Sequence, residues 1–276
     1  MTFEPENVSG RTGYWLKGSS IEAFVTTAPR IRLAVLRTPG RDNVLGEVNE
    51  SLLGMKTWLM NPHEDLTDRS EFSELPAHTA EATPAGLTLE TAPSAKLGLS
   101  LRWEVSVNEK EDGIIVTQTI QNHSEIPQDV AAWSLMIFSE NTHIDIPLDS
   151  PAHVERDKNP YQLFVYPYSS INDPRMSIND GSLALQVSKA PESGALKVGV
   201  VSVSGTAYAK RSGQVLESTV SFDPEGTYPE GGPNITAFVV GNEKNTFGEL
   251  EHMSPIKRVI PGDQVSMTQH LVLSQR

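Results

Sequence analysis

The chain contains no cysteine among its 276 residues. This absence excludes disulfides, thiolate metal ligands and cysteine nucleophiles, and it fits a reducing compartment. The first residues, MTFEPENVSGRTGYW, carry Glu4 and Glu6 and lack the apolar run of a secretory signal. The sequence therefore predicts a cytoplasmic protein.

Positive charge is scarce: 35 Asp and Glu residues against 22 Lys and Arg give a net charge of −13. Nucleic-acid affinity rests largely on cations that contact phosphates, and no Lys/Arg run offsets the deficit, so we expect no nucleic-acid partner. Long apolar runs are missing too, since stretches such as 235–240 fall far short of the roughly 20 residues of a membrane helix. We expect no membrane partner, and the sequence leaves the oligomeric state open.

Several enzyme signatures are missing, among them G-x-S-x-G, phosphate-binding glycine loops and G-x-G-x-x-G. The Gly-Gly-Pro at 231–233 predicts a turn, with no helix behind it to bind phosphate. His143 with Asp145, and His153 with Glu155, each offer two metal ligands, whereas zinc requires three or four converging groups. We therefore predict no metal and no cofactor.

The sequence does contain period-two alternation of β-branched and polar residues, interrupted by turn residues at short intervals. Helical periodicity is almost absent, and about seventeen segments qualify as strands. The clearest are Ile21–Thr27, Arg30–Arg37, Gly113–Asn122, Val130–Phe138 and Val265–Leu273. Evenly spaced short strands without helices between them predict an all-β protein of two large, mainly antiparallel, stacked sheets.

The organisation that we expect is simple. Residues 1–18 are polar and Gly-rich and predict an irregular N-terminal arm. No linker composition interrupts the remainder, so 19–276 predict a single domain. Within it, the polar and acidic stretch 61–82 predicts a long loop, of the kind that is usually mobile or part of a site.

Six segments, taken in order, resemble an uncharacterised bacterial family of the galactose-mutarotase-like (aldose 1-epimerase-like) superfamily. They are LLGMKTWLMNP at 52–62, VAAWSLMIF at 130–138, YPYSSINDPR at 166–175, YPEGGPN at 228–234, ELEHMSP at 249–255 and IPGD at 260–263. Their order covers nearly the whole chain from about Ile21 to Leu273. The resemblance implies a β-supersandwich that binds sugars on the concave face of one sheet.

In the mutarotases of that superfamily, two His residues and one Glu interconvert the anomers of an aldose. The Glu takes the anomeric proton while a His protonates the ring oxygen, as acid-base catalysis at one carbon requires. In this chain the resemblance places Thr236 at the Glu position, and places Met55 and either Trp133 or Ser134 near the His positions. These side chains cannot exchange protons in that way. The sequence therefore indicates that the usual activity is lost or is rebuilt on other residues.

Glu249 and Glu251 are the first candidates for a rebuilt site. Two positions apart on a strand, they share one face, where mutual repulsion raises one pKa for acid-base work. Glu251, beside His252, is the predicted base, and Glu249 the predicted substrate-binding partner. The competing interpretation is a solvated strand face whose carboxylates pair with Lys or Arg.

Two further groups of residues suit a sugar site. In YPYSSINDPR, Tyr168 is a candidate acid, Tyr166 a stacking residue and Arg175 a ligand for a carboxylate or phosphate. The competing interpretation pairs Arg175 with Asp173 in a turn and places the Tyr rings in the core.

Lys56, Trp58 and His63 form the second group, with Trp58 as a stacking platform and Lys56 as a hydroxyl donor. The competing interpretation places Trp58 in the core, Lys56 along apolar surface and His63 at the surface. Thr236 is included among the predicted substrate-binding residues.

The sequence thus predicts a carbohydrate-binding protein, with a sugar, sugar acid or sugar phosphate as partner and a mutarotase-type or epimerase-type activity if the site is rebuilt. Two alternatives remain open. One is a non-catalytic binding or interaction module, in which the carboxylates keep ordinary pKa values. The other is a sugar-acid lyase or isomerase, in which Arg175 neutralises the substrate carboxylate.

Overall fold

The structure, a computed structural model, describes residues 4–60, 72–83, 86–108, 110–149, 162–179, 181–190, 194–242 and 244–275. Twenty-one strands are found in these ranges. In chain order they are β1 (Glu6–Val8), β2 (Arg11–Lys17), β3 (Glu22–Ala28), β4 (Arg32–Arg37), β5 (Met55–Met60), β6 (Ala77–Thr83), β7 (Gly86–Thr91), β8 (Leu99–Asn108), β9 (Gly113–Asn122), β10 (Gln128–Ser139), β11 (His143–Pro147), β12 (Leu163–Val165), β13 (Met176–Asn179), β14 (Ser182–Gln186), β15 (Ala195–Val200), β16 (Thr206–Arg211), β17 (Gln214–Val220), β18 (Ile235–Gly241), β19 (Thr246–Met253), β20 (Lys257–Val259) and β21 (Gln264–Gln275). A short 3-10 turn covers Pro229–Gly231.

The strands form two antiparallel sheets, as the alternating pattern predicts. The eleven-stranded sheet runs β1-β2-β3-β4-β5-β10-β19-β18-β15-β12, with β20 paired to β10, and the ten-stranded sheet runs β13-β14-β11-β16-β17-β21-β9-β8-β7-β6. One apolar core of buried side chains draws on both sheets, with Met136 and Leu250 from the first and Trp103 and Leu271 from the second. No helix in the described ranges is long and apolar enough to cross a membrane.

The N-terminal segment is ordered, contrary to the predicted irregular arm. β1 and β2 form an antiparallel hairpin that adds to the edge of the eleven-stranded sheet. Trp15 packs against Phe24 with ring centroids 5.1 Å apart. Arg11, although charged, is buried because its guanidinium donates to both Glu47 and Glu50. The sequence around Arg11 cannot predict this contact, because Glu47 and Glu50 are far from Arg11 along the chain.

The predicted loop at 61–82 is also partly wrong. Residues 77–83 form β6, the last strand of the ten-stranded sheet. β6 pairs with β7 along one side only, and most of its residues are exposed, which is why its composition is polar. Residues 61–71 lie outside the described residues.

Candidate active site

The side chains of interest lie on five adjacent strands in the middle of the eleven-stranded sheet, in the order β5, β10, β19, β18, β15. Because successive side chains on a strand point to opposite faces, one set fills the core and the other covers the opposite face, here called the site face. The cross-strand register places Glu251 between Leu135 and Thr236, and Glu249 between Ile137 and Phe238. The site-face residues are Lys56, Trp58, Trp133, Leu135, Lys197, Thr236, Phe238, Glu249 and Glu251.

Glu251 is fully enclosed and held by three donors. Its Oε2 accepts hydrogen bonds from Trp133 Nε1 at 3.0 Å and from Thr236 Oγ1 at 2.5 Å. Lys197 Nζ lies 3.3 Å from the same oxygen. Burial raises the pKa of Glu251, while Lys197 and the Thr236 hydroxyl oppose that shift. Thr236 thus supports the carboxylate of the neighbouring strand.

Glu249 is the member of the pair with a proton at neutral pH. Burial, and then the adjacent Glu251, raise the pKa of Glu249 to about 8. Lys56 and Lys197 oppose the shift without cancelling it. Since the residue keeps 8% of its surface exposed, against 1% for Glu251, Glu249 is the carboxyl that a ligand can contact. The role of Glu251 as the base stays a prediction.

Lys197 connects the pair to the edge of the site face. Its ammonium lies 3.1 Å from Glu230 Oε2 and contacts Glu251, and it packs over the rings of Trp133 and Tyr166 at 4.7 and 4.8 Å. Burial alone would lower the pKa of Lys197, but the carboxylates of Glu251 and Glu230 outweigh that effect and raise it. Lys197 is therefore a fixed cation rather than a proton donor.

Glu230 reaches this position from the 3-10 turn at Pro229–Gly231. Its backbone has φ 55 and ψ 25, a left-handed conformation that is uncommon for residues other than glycine. Its carboxylate accepts a hydrogen bond from the Tyr166 hydroxyl as well as from Lys197. Burial and this bond raise the pKa of Tyr166, so that the phenol stays protonated. The two loops that carry these residues thus cover one side of the carboxylate pair.

Aromatic rings line the other side. Trp58 and Trp133, paired across β5 and β10, meet edge to face with centroids 5.3 Å apart. Trp58 is half-buried, and its Nε1 donates to Ser73 Oγ at 3.0 Å. Lys56 Nζ lies 4.8 Å from the Trp58 ring and donates to the Ser51 carbonyl at 3.1 Å. A partly exposed indole face beside hydrogen-bonding groups suits the C–H surface of a sugar ring.

Behind the site face, a chain of polar side chains crosses the core between the sheets. Gln269 on β21 accepts from Ser134 at 2.7 Å and donates to Ser218 at 2.8 Å, and Ser218 contacts His252 Nε2 at 3.0 Å. Burial lowers the pKa of His252 to about 3, so the imidazole is neutral. A second branch joins Gln118 to Thr57. His252, predicted as the neighbour of a catalytic Glu, therefore faces the core.

The structure brings together seven of the nine predicted site residues. Lys56, Trp58, Thr236, Glu249 and Glu251 lie on the site face, Tyr166 covers it, and the exposed ring of Tyr168 lies at its rim, 6.5 Å from the Phe238 ring. His63 lies outside the described residues.

Arg175 does not lie on the site face. It precedes β13 at the edge of the ten-stranded sheet, and its Nε and Nη2 donate to the two carboxylate oxygens of Asp173. Both side chains are buried. This geometry matches the competing interpretation, because a fork-shaped guanidinium two residues from a carboxylate closes a local pair.

The candidate metal pair does not gain further ligands. His143 Nε2 lies 3.0 Å from Asp145 Oδ1, and Asp145 also pairs with Lys210, which occupies the carboxylate with a cation. His153 and Glu155 lie outside the described residues. Across the described part of the chain, no group of three or more His, Asp or Glu residues could hold a metal ion.

Lys197 and Glu230 are the two site residues that the sequence analysis missed. Lys197 has a recognisable signal, because it is the only charged residue in the apolar strand ALKVGV. Glu230 has a weaker one: a carboxylate between Pro229 and two glycines in a turn. Neither signal shows that the two residues meet, since their contact depends on the pairing of β15 with β18.

A coupled pair of carboxyl groups, one protonated at neutral pH, can both donate and accept a proton at one substrate. Retaining glycosidases keep their two carboxyl groups about 5 Å apart, and inverting enzymes keep them further apart. Glu249 and Glu251 lie two residues apart on one strand, so both carboxyl groups approach a substrate from the same side, whereas a glycosidase pair flanks the scissile bond. The geometry suits proton exchange without hydrolysis.

No family model and no curated protein matches the sequence of the chain. Solved structures do match its fold. A galactose mutarotase-like protein from Lactobacillus casei superposes with a TM-score of 0.64 at 10% identity, over 94% of this chain and 99% of that chain. Another from Clostridium acetobutylicum gives 0.55 at 12%, over 99% and 98%. An α-galactosidase from Lactobacillus brevis gives 0.51 at 9%, over 97% of this chain but 40% of that chain. Identities this low show the fold alone: the chain has the all-β, two-sheet fold of galactose mutarotase-like proteins, as the sequence predicts.

Proposed function

We propose that this protein binds a sugar on the site face and interconverts its anomers, with the Glu249–Glu251 pair as a rebuilt acid-base group. The observation that carries the proposal is the buried Glu249–Glu251 pair on one face of β19, where burial and the neighbouring carboxylate raise the pKa of Glu249 to about 8 and leave it able to exchange its proton. The fold adds support, because the matched structures include galactose mutarotase-like proteins.

A single carboxyl group can perform the reaction, because it carries a donor and an acceptor side by side. Glu249 delivers its proton to the ring oxygen as the bond between that oxygen and the anomeric carbon breaks. The anomeric hydroxyl gives its proton back to the same carboxylate, and the open-chain aldehyde forms with no net change in protons. Rotation about the bond next to the aldehyde and reversal of these steps yields the other anomer.

The surrounding residues have supporting roles in this scheme. Glu251, fixed by Trp133, Thr236 and Lys197, keeps the proton on Glu249 through its negative charge. Trp58 and Tyr168 offer ring faces to the sugar. Tyr168 then acts by stacking, since desolvation raises the pKa of its hydroxyl and keeps the phenol protonated.

The alternative of a non-catalytic module is less well supported. It requires carboxylates with ordinary pKa values, whereas burial and mutual repulsion shift that of Glu249 strongly. The lyase or isomerase alternative loses its charge neutraliser, because Arg175 is paired with Asp173 away from the site face.

The test is polarimetry of freshly dissolved α-D-glucose and α-D-galactose with the wild-type protein and the Glu249→Gln variant. We expect the wild-type protein to accelerate the change in rotation, and the variant to lose about 100-fold of that rate, the typical contribution of one acid-base group. Glu125→Gln, at an exposed turn, is the matched control and should retain full activity.

A wild-type rate equal to the spontaneous rate for both sugars would overturn the proposed activity. Full activity of Glu249→Gln would overturn the residue assignment. Glutamine has nearly the volume of glutamate, and the control variant detects any general effect of removing a carboxylate.

A further inference from the structure

Lys56 is a buried cation with no anionic partner among the described residues. The residue is 3% exposed, and its ammonium donates one hydrogen bond, to the Ser51 carbonyl, and lies over the Trp58 ring. A buried charge usually has an ion pair to offset the lost hydration. Glu249 is the carboxyl with the largest electrostatic effect on Lys56, yet none of the ion pairs between described residues joins the two.

The second lysine of the site face shows the contrast. Lys197 is equally enclosed, but its ammonium lies between the carboxylates of Glu230 and Glu251 at 3.1 and 3.3 Å. Its donors are therefore engaged. Those of Lys56 are not, since an ammonium has three N–H groups and only one is accounted for.

The neighbourhood of Lys56 adds further positive charge. Leu33 pairs with Met55 across β4 and β5, so Arg32 and Lys56, each one residue along, share the site side of those strands. Among the described residues, Arg30 and Arg32 pair with a single carboxylate, that of Glu74. Cations facing each other across strands are destabilising without an anion between them.

Unused donors are present at the two arginines as well. The buried Nε atoms of Arg30 and Arg32 have no hydrogen-bond partner among the described residues. Ser51 connects Lys56 to Arg30, because its carbonyl accepts from Lys56 and its hydroxyl accepts from Arg30. In a chain with a net charge of −13, such a local surplus of cations is a specific feature rather than a general one.

Building on the function proposed above, we propose that the substrate is an anionic sugar, whose carboxylate or phosphate pairs with the ammonium of Lys56. Lys56 and Glu251 both pair with Leu135, from opposite sides of β10, and the ammonium of Lys56 lies over the Trp58 ring. A sugar ring over Trp58 with its anionic substituent at Lys56 therefore lies beside the carboxylate pair. Burial lowers the pKa of Lys56, and an anion beside the ammonium would reverse this.

The experiment is titration calorimetry with D-glucose, D-glucuronate and D-glucose 6-phosphate against the wild-type protein, Lys56→Met and Lys56→Arg. We expect at least one anion to bind the wild-type protein about tenfold more tightly than glucose, the effect of one charge-assisted contact. Comparison of the two anions distinguishes a carboxylate site from a phosphate site. The ratio of anion to glucose affinity should fall to about one in Lys56→Met and largely persist in Lys56→Arg.

Lys244→Met, at an exposed turn, removes the same charge from the surface and should keep the wild-type ratio. If glucose binds as tightly as both anions, or Lys56→Met keeps the preference, the inference is wrong while the proposed function stands. If none of the three sugars binds, the proposed function fails as well. Should Lys56→Met not fold, as judged by near-ultraviolet circular dichroism, Lys56→Gln provides the same comparison.

Discussion

The proton of Glu249 links the chemistry of the site to the stability of the fold. Its carboxyl has a pKa of about 8 in the folded protein, against an ordinary value of 4.5. The folded state thus binds this proton more tightly than the unfolded state does. The resulting stabilisation is complete below about pH 4.5 and is lost as the pH rises through about 8.

We therefore predict that Glu249 makes the protein less stable as the pH rises from 5 to 8, by at most about 1.4 kcal/mol per pH unit. Glutamine cannot ionise, so Glu249→Gln should remove this contribution and flatten the dependence. Urea denaturation at intervals across this range measures it, with Glu125→Gln as the control. Parallel curves for wild type and Glu249→Gln would show that the proton is not held as described.

At the residue scale, the sequence predicts side chains whose partners are near in the chain. The spacing of Glu249 and Glu251 alone places them on one face, as the structure confirms. Lys197 and Glu230 complete the site through contacts between distant segments, and no local pattern encodes those contacts. For Arg175 the competing interpretation names the partner that the structure shows, because Asp173 lies only two residues away.

At the scale of strands, the polar chain in the core sets the position of the site strands. Thr57, Ser134 and His252 lie on β5, β10 and β19, each next to a residue of the site face. Gln269 and Gln118, from the opposite sheet, hold these side chains directly or through Ser218. A shift of one residue in the strand pairing would place these polar groups on the wrong face. The polar side chains in the core therefore favour a single register of the site strands.

Replacing Gln269 with Met should destabilise the protein by about 3 kcal/mol, because Ser134, Ser218 and Gln118 each lose a buried partner. Guanidinium denaturation of the variant measures the loss. Ser274→Ala on the exposed side of the same strand is the control and should change stability by less than about 0.5 kcal/mol. Equal stability of the two variants would mean that the polar chain contributes little.

Strand prediction succeeds where one side of the strand is buried and fails at sheet edges. Gly113–Asn122 is found with the predicted bounds, because alternation and turn residues agree there. β1, β2 and β6 were missed because they lie at the ends of the sheets, where fewer neighbours demand apolar side chains.

At the scale of the whole molecule, the N-terminal hairpin closes one end of the eleven-stranded sheet. β2 pairs with β3 along most of its length and covers Phe24 through Trp15. Without the hairpin, β3 would be an exposed edge strand with apolar side chains, a template for association with other chains.

Deletion of residues 1–17 should therefore lower stability by several kcal/mol, at least about 3 from lost apolar contacts, and promote aggregation. Thermal unfolding and size-exclusion chromatography measure the two effects. Glu6→Ala, at an exposed position of β1, is the control and should behave as wild type. A monodisperse shortened chain with an unchanged midpoint would contradict the prediction.

The alternation of faces across β5, β10, β19 and β18 has a consequence for comparing distant relatives. The residues that form the core and the residues that form the site occupy alternate positions there, so each set can change without the other. Two proteins can therefore share this fold at 10% identity without sharing catalytic residues. An alignment that slips by one residue replaces Glu251, a site position, with His252 or Leu250, which are core positions. Parity of position along these strands is therefore the first check on any residue correspondence drawn between this chain and another.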